Sequence, residues 1–223
     1  MTIAIDGPAG AGKSTVARGA AQALGYAYID TGALYRAVAL AALRAGVSSG
    51  DEAAVSALLP QIELGVDYDS SGAQHVYLGG MDVSADIRAP EVSMATSDVS
   101  KYKAVRAFLL QLQRDLAYAR DSILDGRDIG TVVLPNADVK VFLTAQPEER
   151  ARRRWEEQKA RGIGDPYEKV LAEVLARDGQ DMSRAEAPLR PADDSTLLDT
   201  TGMDLGESIQ ALLNIIKTKE GCP

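Results

Sequence analysis

The segment Gly7-Pro8-Ala9-Gly10-Ala11-Gly12-Lys13-Ser14 carries the spacing GxxxxGK[ST]. Glycines at this spacing let backbone N–H groups close around a phosphate, and a helix starting behind them adds positive potential. In such a loop Lys13 reaches the β- and γ-phosphates of a nucleoside triphosphate, and Ser14 is the ligand of a magnesium ion. Gly7 to Ser14, with Thr15 behind them, are the expected triphosphate contacts. The alternative is a glycine-rich turn that binds nothing; the complete motif between a strand and a helix weighs against it.

A second set of residues suits transfer of that phosphate. Arg36, Arg106, Arg127, Arg150, Arg152, Arg153, Arg154, Arg177 and Arg184 all lie downstream of the loop. Arginine captures phosphate bidentately and can offset charge developing on a transferring phosphoryl group. The chain has no Asn-Lys pair with which to read guanine, so a GTPase switch is disfavoured, although Asp199-Thr200-Thr201-Gly202 fits a loose DxxG. A small chain with this loop and these arginines reads as a phosphotransferase acting on a phosphorylated or acidic small molecule.

The elements that must hold these residues alternate. Thr2–Asp6 reads as a buried strand, Lys13 to about Leu24 as a helix ended by Gly25, and Tyr26–Asp30 as a second strand. A helix opens at Thr31-Gly32 and stops at Gly46; another spans about 103–120. Strands follow at 122–125 and 138–145, helices at 147–162 and 167–177, then a strand at 197–199 and a closing helix at 205–217. Between about 61 and 87 the period changes to two, with turns at Asp69-Ser70-Ser71-Gly72 and Gly79-Gly80, which predicts a small antiparallel hairpin. The alternation predicts an α/β fold, a parallel sheet covered by helices on both faces. One domain spans 1–223: a core of 1–36, 101–149 and 191–223, an insertion over 37–100 and a polar helical arm over 150–190.

Composition narrows the partners. Apolar residues make up 46% of the chain and charged ones 25%, enough to bury a core. The net charge of −8 disfavours a nucleic acid as partner, since such binding depends on cations that neutralise phosphates. No run of about 18 apolar residues is present to cross a membrane. The start of the chain reads as no secretion signal, and the single cysteine, Cys222, fits a reducing cytoplasm. The single histidine, His75, disfavours a histidine triad or a histidine metal cage and is given no catalytic role.

Five local patterns sharpen the reading: Asp30-Thr31-Gly32-Ala33-Leu34-Tyr35-Arg36, Val105-Arg106, Asp125-Gly126-Arg127-Asp128-Ile129-Gly130-Thr131, the run Arg177-Asp178 with Asp181 and Arg184, and Pro188-Leu189-Arg190-Pro191-Ala192-Asp193-Asp194. With the phosphate loop, from residue 2 to about 200, they make the chain resemble the bacterial cytidylate kinases. The hairpin insert resembles the extra segment of that family. The resemblance implies a P-loop NTPase-type sheet, a nucleoside-monophosphate-binding insertion with the hairpin and a helical lid. It implies ATP with Mg2+ as phosphoryl donor and CMP or dCMP as acceptor, in an enzyme of pyrimidine nucleotide metabolism; a monomer is the default expectation.

Residue by residue, the resemblance implies that Arg36 and Arg127 hold the acceptor's monophosphate, with Arg184 closing on it. Lys13, Arg127 and Arg184 would then be the catalytic cations. Ser97, Arg106 and Asp128 match base-reading positions. A carboxylate accepts from the 4-amino group of cytosine and a guanidinium donates to its N3 and 2-oxo groups, whereas uracil would mismatch both. Arg177 and Asp181 match sugar contacts, and Arg153 an ATP-side contact. Bland alternatives stand beside these roles. Thr31 contacts phosphate or caps its helix; Ser97 is a loop serine; Asp128 pairs with Arg127; Arg177 and Asp181 form an exposed i,i+4 ion pair. Trp155 is read as packing. The family's arm reads Arg-Asp-x-Arg-Asp-x-x-Arg, and Gln180 stands here in place of its second arginine.

The acceptor oxygen of a monophosphate is already deprotonated near neutral pH, so this chemistry needs no general base. The arm is expected to close over both nucleotides and exclude water. Other readings are a shikimate- or dephospho-coenzyme-A-type kinase, and a nucleotide-sensing P-loop switch.

Overall fold

The opening apolar run forms strand β1 over Thr2–Asp6, with all five residues buried. A computed structural model describes residues 1–160, 162 and 164–219; Cys222 lies outside them. In chain order the strands are β1, β2 (Ala27–Asp30), β3 (Leu64–Tyr68), β4 (Gln74–Leu78), β5 (Met81–Asp82), β6 (Ser122–Gly126), β7 (Val139–Thr144) and β8 (Thr196–Asp199). The helices are α1 (Lys13–Leu24), α2 (Thr31–Arg44), α3 (Glu52–Leu58), α4 (Pro90–Val99), α5 (Lys103–Tyr118), α6 (Pro147–Ala160), α7 (Tyr167–Met182) and α8 (Leu205–Lys219). The chain divides into two units, Met1–Ala27 with Arg120–Pro223, and Tyr28–Ala119.

The main sheet has the order β2-β6-β1-β7-β8, the chain passing from the first unit to the second within β2. The β1–β6, β1–β7 and β7–β8 pairings are all parallel, as the strand–helix alternation requires. Ile5 pairs with Asp125 and Asp6 with Gly126, so the loops leaving β1 and β6 start side by side at the carboxyl ends of adjacent strands. That edge is where open α/β sheets bind ligands. Gly7 begins the loop at φ +150°, and a Cβ there would stand 1.9 Å from the Leu143 carbonyl oxygen of β7. No side chain fits so close to backbone, which accounts for glycine at this position. On α1 the buried stripe is Val16, Ala17, Ala20 and Ala21, and Gly25 in the left-handed conformation ends the helix.

In the second unit α2 supplies the centre of an apolar cluster. Leu34, Ala37 and Val38 of α2 are fully buried with Val55, Val99, Val105 and Leu109. The predicted hairpin is a three-stranded antiparallel sheet, β3-β4-β5, because Met81–Asp82 adds a short strand after the Gly79-Gly80 turn. Val76 and Leu78 put the inner face of β4 into the same cluster.

Two helices in this unit were not expected from sequence periodicity. Helix α3 is only seven residues long and is started by the Asp51 carboxylate, which accepts from Ala54 N at 3.0 Å. Helix α4 does carry a stripe, Val92, Ala95 and Val99, but serine and threonine between them weaken its helical signal. Among the described residues no helix is long and apolar enough to cross a membrane.

Candidate active site

The lysine of the glycine-rich loop is folded inward. Lys13 is buried and donates to the Pro8 carbonyl at 2.7 Å. Burial, then the nearby Arg127 charge, pushes its pKa well below the usual lysine range. A phosphate placed here would reverse that shift. Ser14 Oγ donates to Asp125 Oδ2 at 2.8 Å, which puts a hydroxyl and a carboxylate oxygen together. Sequence reasoning missed Asp125 as part of the site; its signal was an acid ending a buried strand beside the loop.

Asp6, another acid at a strand end, was missed in the same way. It is buried, and its oxygens accept from Ile129 N at 2.7 Å and Gly130 N at 2.8 Å. These N–H groups open a π-helical turn over Ile129–Val133, directly after Arg127 and Asp128. Burial pushes the Asp6 carboxyl up to about 7, against the two backbone N–H groups that pull it down. The strand preceding the phosphate loop thus anchors the segment that carries Arg127 and Asp128, itself buried.

Around Asp181 the first unit gathers its cations. Arg127 Nε donates to Asp181 Oδ2 at 2.9 Å, and Arg184 pairs with the other oxygen. Burial works to raise the Asp181 carboxyl, but Arg127 and Arg184 outweigh it and hold the pKa below its usual value. Burial, with Arg127 as the next cause, pushes Arg177 down to about 10. The alternative of an exposed Arg177–Asp181 ion pair does not hold, since Asp181 is 1% exposed and its carboxylate serves Arg127 and Arg184. The helix carrying it continues past the expected end at Arg177 to Met182. Gln180 is exposed.

Helix α6 flanks the loop. Arg153 donates to the Thr200 carbonyl at 2.9 Å and to Glu149 at 2.9 Å, and a Cβ on Gly12 would lie 3.7 Å from its guanidinium. Arg150, one of the arginines grouped as suited to phosphoryl transfer, is 3% exposed and spends its donors on the Ala145 carbonyl, the Ala9 carbonyl and both oxygens of Asp178. Trp155 packs as expected, edge-on to Tyr167 with its ring N–H on the Asp165 carbonyl at 3.0 Å.

Thr31, Arg36, Ser97 and Arg106 belong to the second unit. The cap considered for Thr31 is supplied by Asp30 instead, whose Oδ1 accepts from Ala33 N at 2.9 Å. Asp30 Oδ2 accepts from Arg36 at 2.7 Å. Ser97 is not in a loop but in α4. Arg106, on α5, donates to the Ser100 carbonyl at 3.1 Å and lies 5.6 Å from the centre of the Tyr35 ring.

The sequence compares with known proteins in the same sense. A cytidylate kinase from Mycobacterium leprae is 49% identical over 99% of this chain and 97% of its own length. One from Mycobacterium avium is 48% identical over 98% and 96%. Among solved structures, an uncharacterized protein from Eubacterium ventriosum superposes with a TM-score of 0.55 at 13% identity, over 97% of each chain, a likeness of fold alone. The family model described as cytidylate kinase matches residues 3–218. The chain belongs to the cytidylate kinase family.

Proposed function

We propose that this protein transfers the γ-phosphoryl group of ATP to CMP and dCMP, releasing ADP with CDP or dCDP. The observation that carries the reading is the half-buried cluster of Arg127, Arg177 and Arg184 around the buried Asp181, with the Arg127 charge also felt by Lys13 of the phosphate loop. Burial and the neighbouring Arg127 charge pull down the pKa values of Lys13 and Arg177, and cations gathered this closely are suited to two phosphates that must approach each other.

In this reading Gly7 to Thr15 and Arg153 hold ATP, and Arg36, Arg127 and Arg184 hold the acceptor's phosphate. Thr31 lies at the same helix start as Arg36. Ser97, Arg106 and Asp128 read the base, while Arg177 and Asp181 bind the sugar. Residues 37–100 serve the acceptor and 150–190 form the arm over the nucleotides. Lys13, Arg127 and Arg184 offset the charge on the transferring group, and the acceptor oxygen attacks without a general base. The hydroxyl of Ser14 and the carboxylate of Asp125, 2.8 Å apart, are hard oxygen donors that fit Mg2+. When bound, that ion supplies further neutralisation of phosphate charge. A monomer in a reducing cytoplasm, with neither nucleic acid nor membrane as partner, completes the proposal; its support is the acidic chain with a single cysteine.

ATP consumption measured with CMP, dCMP, UMP, AMP or shikimate as sole acceptor tests the reading. Stimulation is expected with the cytidine monophosphates, because a uracil ring would set its 4-oxo group against the Asp128 carboxylate. Stimulation by shikimate alone would move the protein to another class of small-molecule kinase. Slow hydrolysis indifferent to every acceptor would make it a nucleotide-sensing switch.

A further inference from the structure

The small antiparallel sheet of the second unit carries a polar residue on its inward face. Gln74, Val76 and Leu78 alternate along β4, and the last two are buried in the apolar cluster while Gln74 stands at its edge. The carboxamide of Gln74 spans one residue's backbone. Its Oε1 accepts from Asp30 N at 2.8 Å and its Nε2 donates toward Asp30 O at 3.4 Å. Only this orientation of the amide matches donor to acceptor on both sides.

Asp30 in turn uses both carboxylate oxygens, one on Ala33 N at 2.9 Å to start α2 and one on Arg36 at 2.7 Å. The guanidinium of Arg36 is thereby drawn over the first turn of α2, where a Cβ on Gly32 would come within 3.4 Å of it. Its Nε is buried and makes no hydrogen bond among the described residues, a donor left for a ligand. The start of β4 is itself fixed, since Gln74 pairs with Tyr68 and Asp69 closes the intervening turn by accepting from Ser71 N and Ala73 N.

We propose that Gln74 is a positioning residue for the acceptor: by clamping the backbone of Asp30 it fixes the carboxylate that aims Arg36 at the acceptor's phosphate. The inserted sheet then contributes to acceptor affinity without touching the acceptor. This rests on the reading of Arg36 as a phosphate contact.

The test is a double-mutant cycle of Gln74→Met and Arg36→Ala, with KM for CMP, KM for ATP and kcat measured for each variant and melting temperature as the fold control. Methionine keeps the length of glutamine and removes both hydrogen bonds. The expected result for Gln74→Met is a rise of about tenfold in KM for CMP, the scale of one or two net hydrogen bonds, with KM for ATP unchanged. On top of Arg36→Ala, the same change is expected to add less than about twofold, because its route to the acceptor is already cut. Gln74→Glu keeps the acceptor for Asp30 N and loses the donor, so it should fall between wild type and Gln74→Met; it also serves if the methionine variant does not fold. An unchanged KM for CMP, equal losses toward CMP and ATP, or additivity with Arg36→Ala would each overturn the proposal. A wild-type protein that transfers nothing to CMP would overturn the proposed function along with it, whereas additivity in an active enzyme overturns this inference alone.

Discussion

Asp6 shows how much one side chain can couple. It is the last residue of β1, its neighbour Gly7 opens the phosphate loop, and its carboxylate holds the backbone that follows Arg127 and Asp128. Burial raises its pKa from 3.8 to about 7. Between those values the folded protein keeps a proton that the unfolded chain has released, so this group's contribution to stability falls as pH rises from about 4 to 7 and is level above. Asp6→Asn removes the titration. In urea unfolding of the ligand-free protein, wild type should therefore gain stability relative to Asp6→Asn as pH is lowered from 7.5 to about 4.5. Parallel profiles for the two proteins would show that Asp6 is ionised throughout and that the account of its burial is wrong. The acid was present in the sequence beside a recognised loop, but its partners are backbone N–H groups about 120 residues away, and no pattern of side chains announces such a bond.

At the scale of elements, α6 and α7 are joined to the phosphate loop by a buried ion pair. Arg150 meets Asp178 with a two-pronged contact at 3.1 and 2.6 Å and reaches the Ala9 carbonyl at 3.0 Å. Removing one partner leaves the other charge buried and alone, so Asp178→Ala should cost about 3 kcal/mol or more. Lys169→Ala, which breaks an exposed pair with Asp165 one turn away, should cost far less. Denaturant unfolding of the two variants measures the contrast, and equal costs would contradict a structural role for the Arg150–Asp178 pair. The elements themselves were mostly legible. β1, α1 and the turn at Gly25 follow from an apolar run, a helical stripe and a glycine, all local signals. Helix α4 was not legible, because its three buried residues are separated by serine, threonine and aspartate. The end of α7 was not legible either, since Asp178 and Asp181 are buried by pairing with arginines rather than by apolar character.

For the whole molecule, the charge is unevenly assigned. The chain carries −8, yet Lys13, Arg127, Arg177 and Arg184 share one neighbourhood in the first unit, and Arg36 faces its own partner in the second. The single histidine is held between Asp82, at 2.7 Å, and Asp69 on the small sheet. A reaction that moves a phosphoryl group between two anions needs this arrangement of cations and needs no base. The residue types and their spacing made the phosphate loop and the arginine motifs readable, with Asp30, Asp125 and Asp178 standing in those motifs; what these acids and Asp6 bond to emerged only with the fold. The central claim is transfer to a nucleotide phosphate, and the most direct measurement follows the label from ATP carrying a radioactive γ-phosphate, incubated with the protein, Mg2+ and CMP. The account predicts label in CDP, with little released as inorganic phosphate. Label found only in inorganic phosphate, whether or not CMP is present, would contradict it.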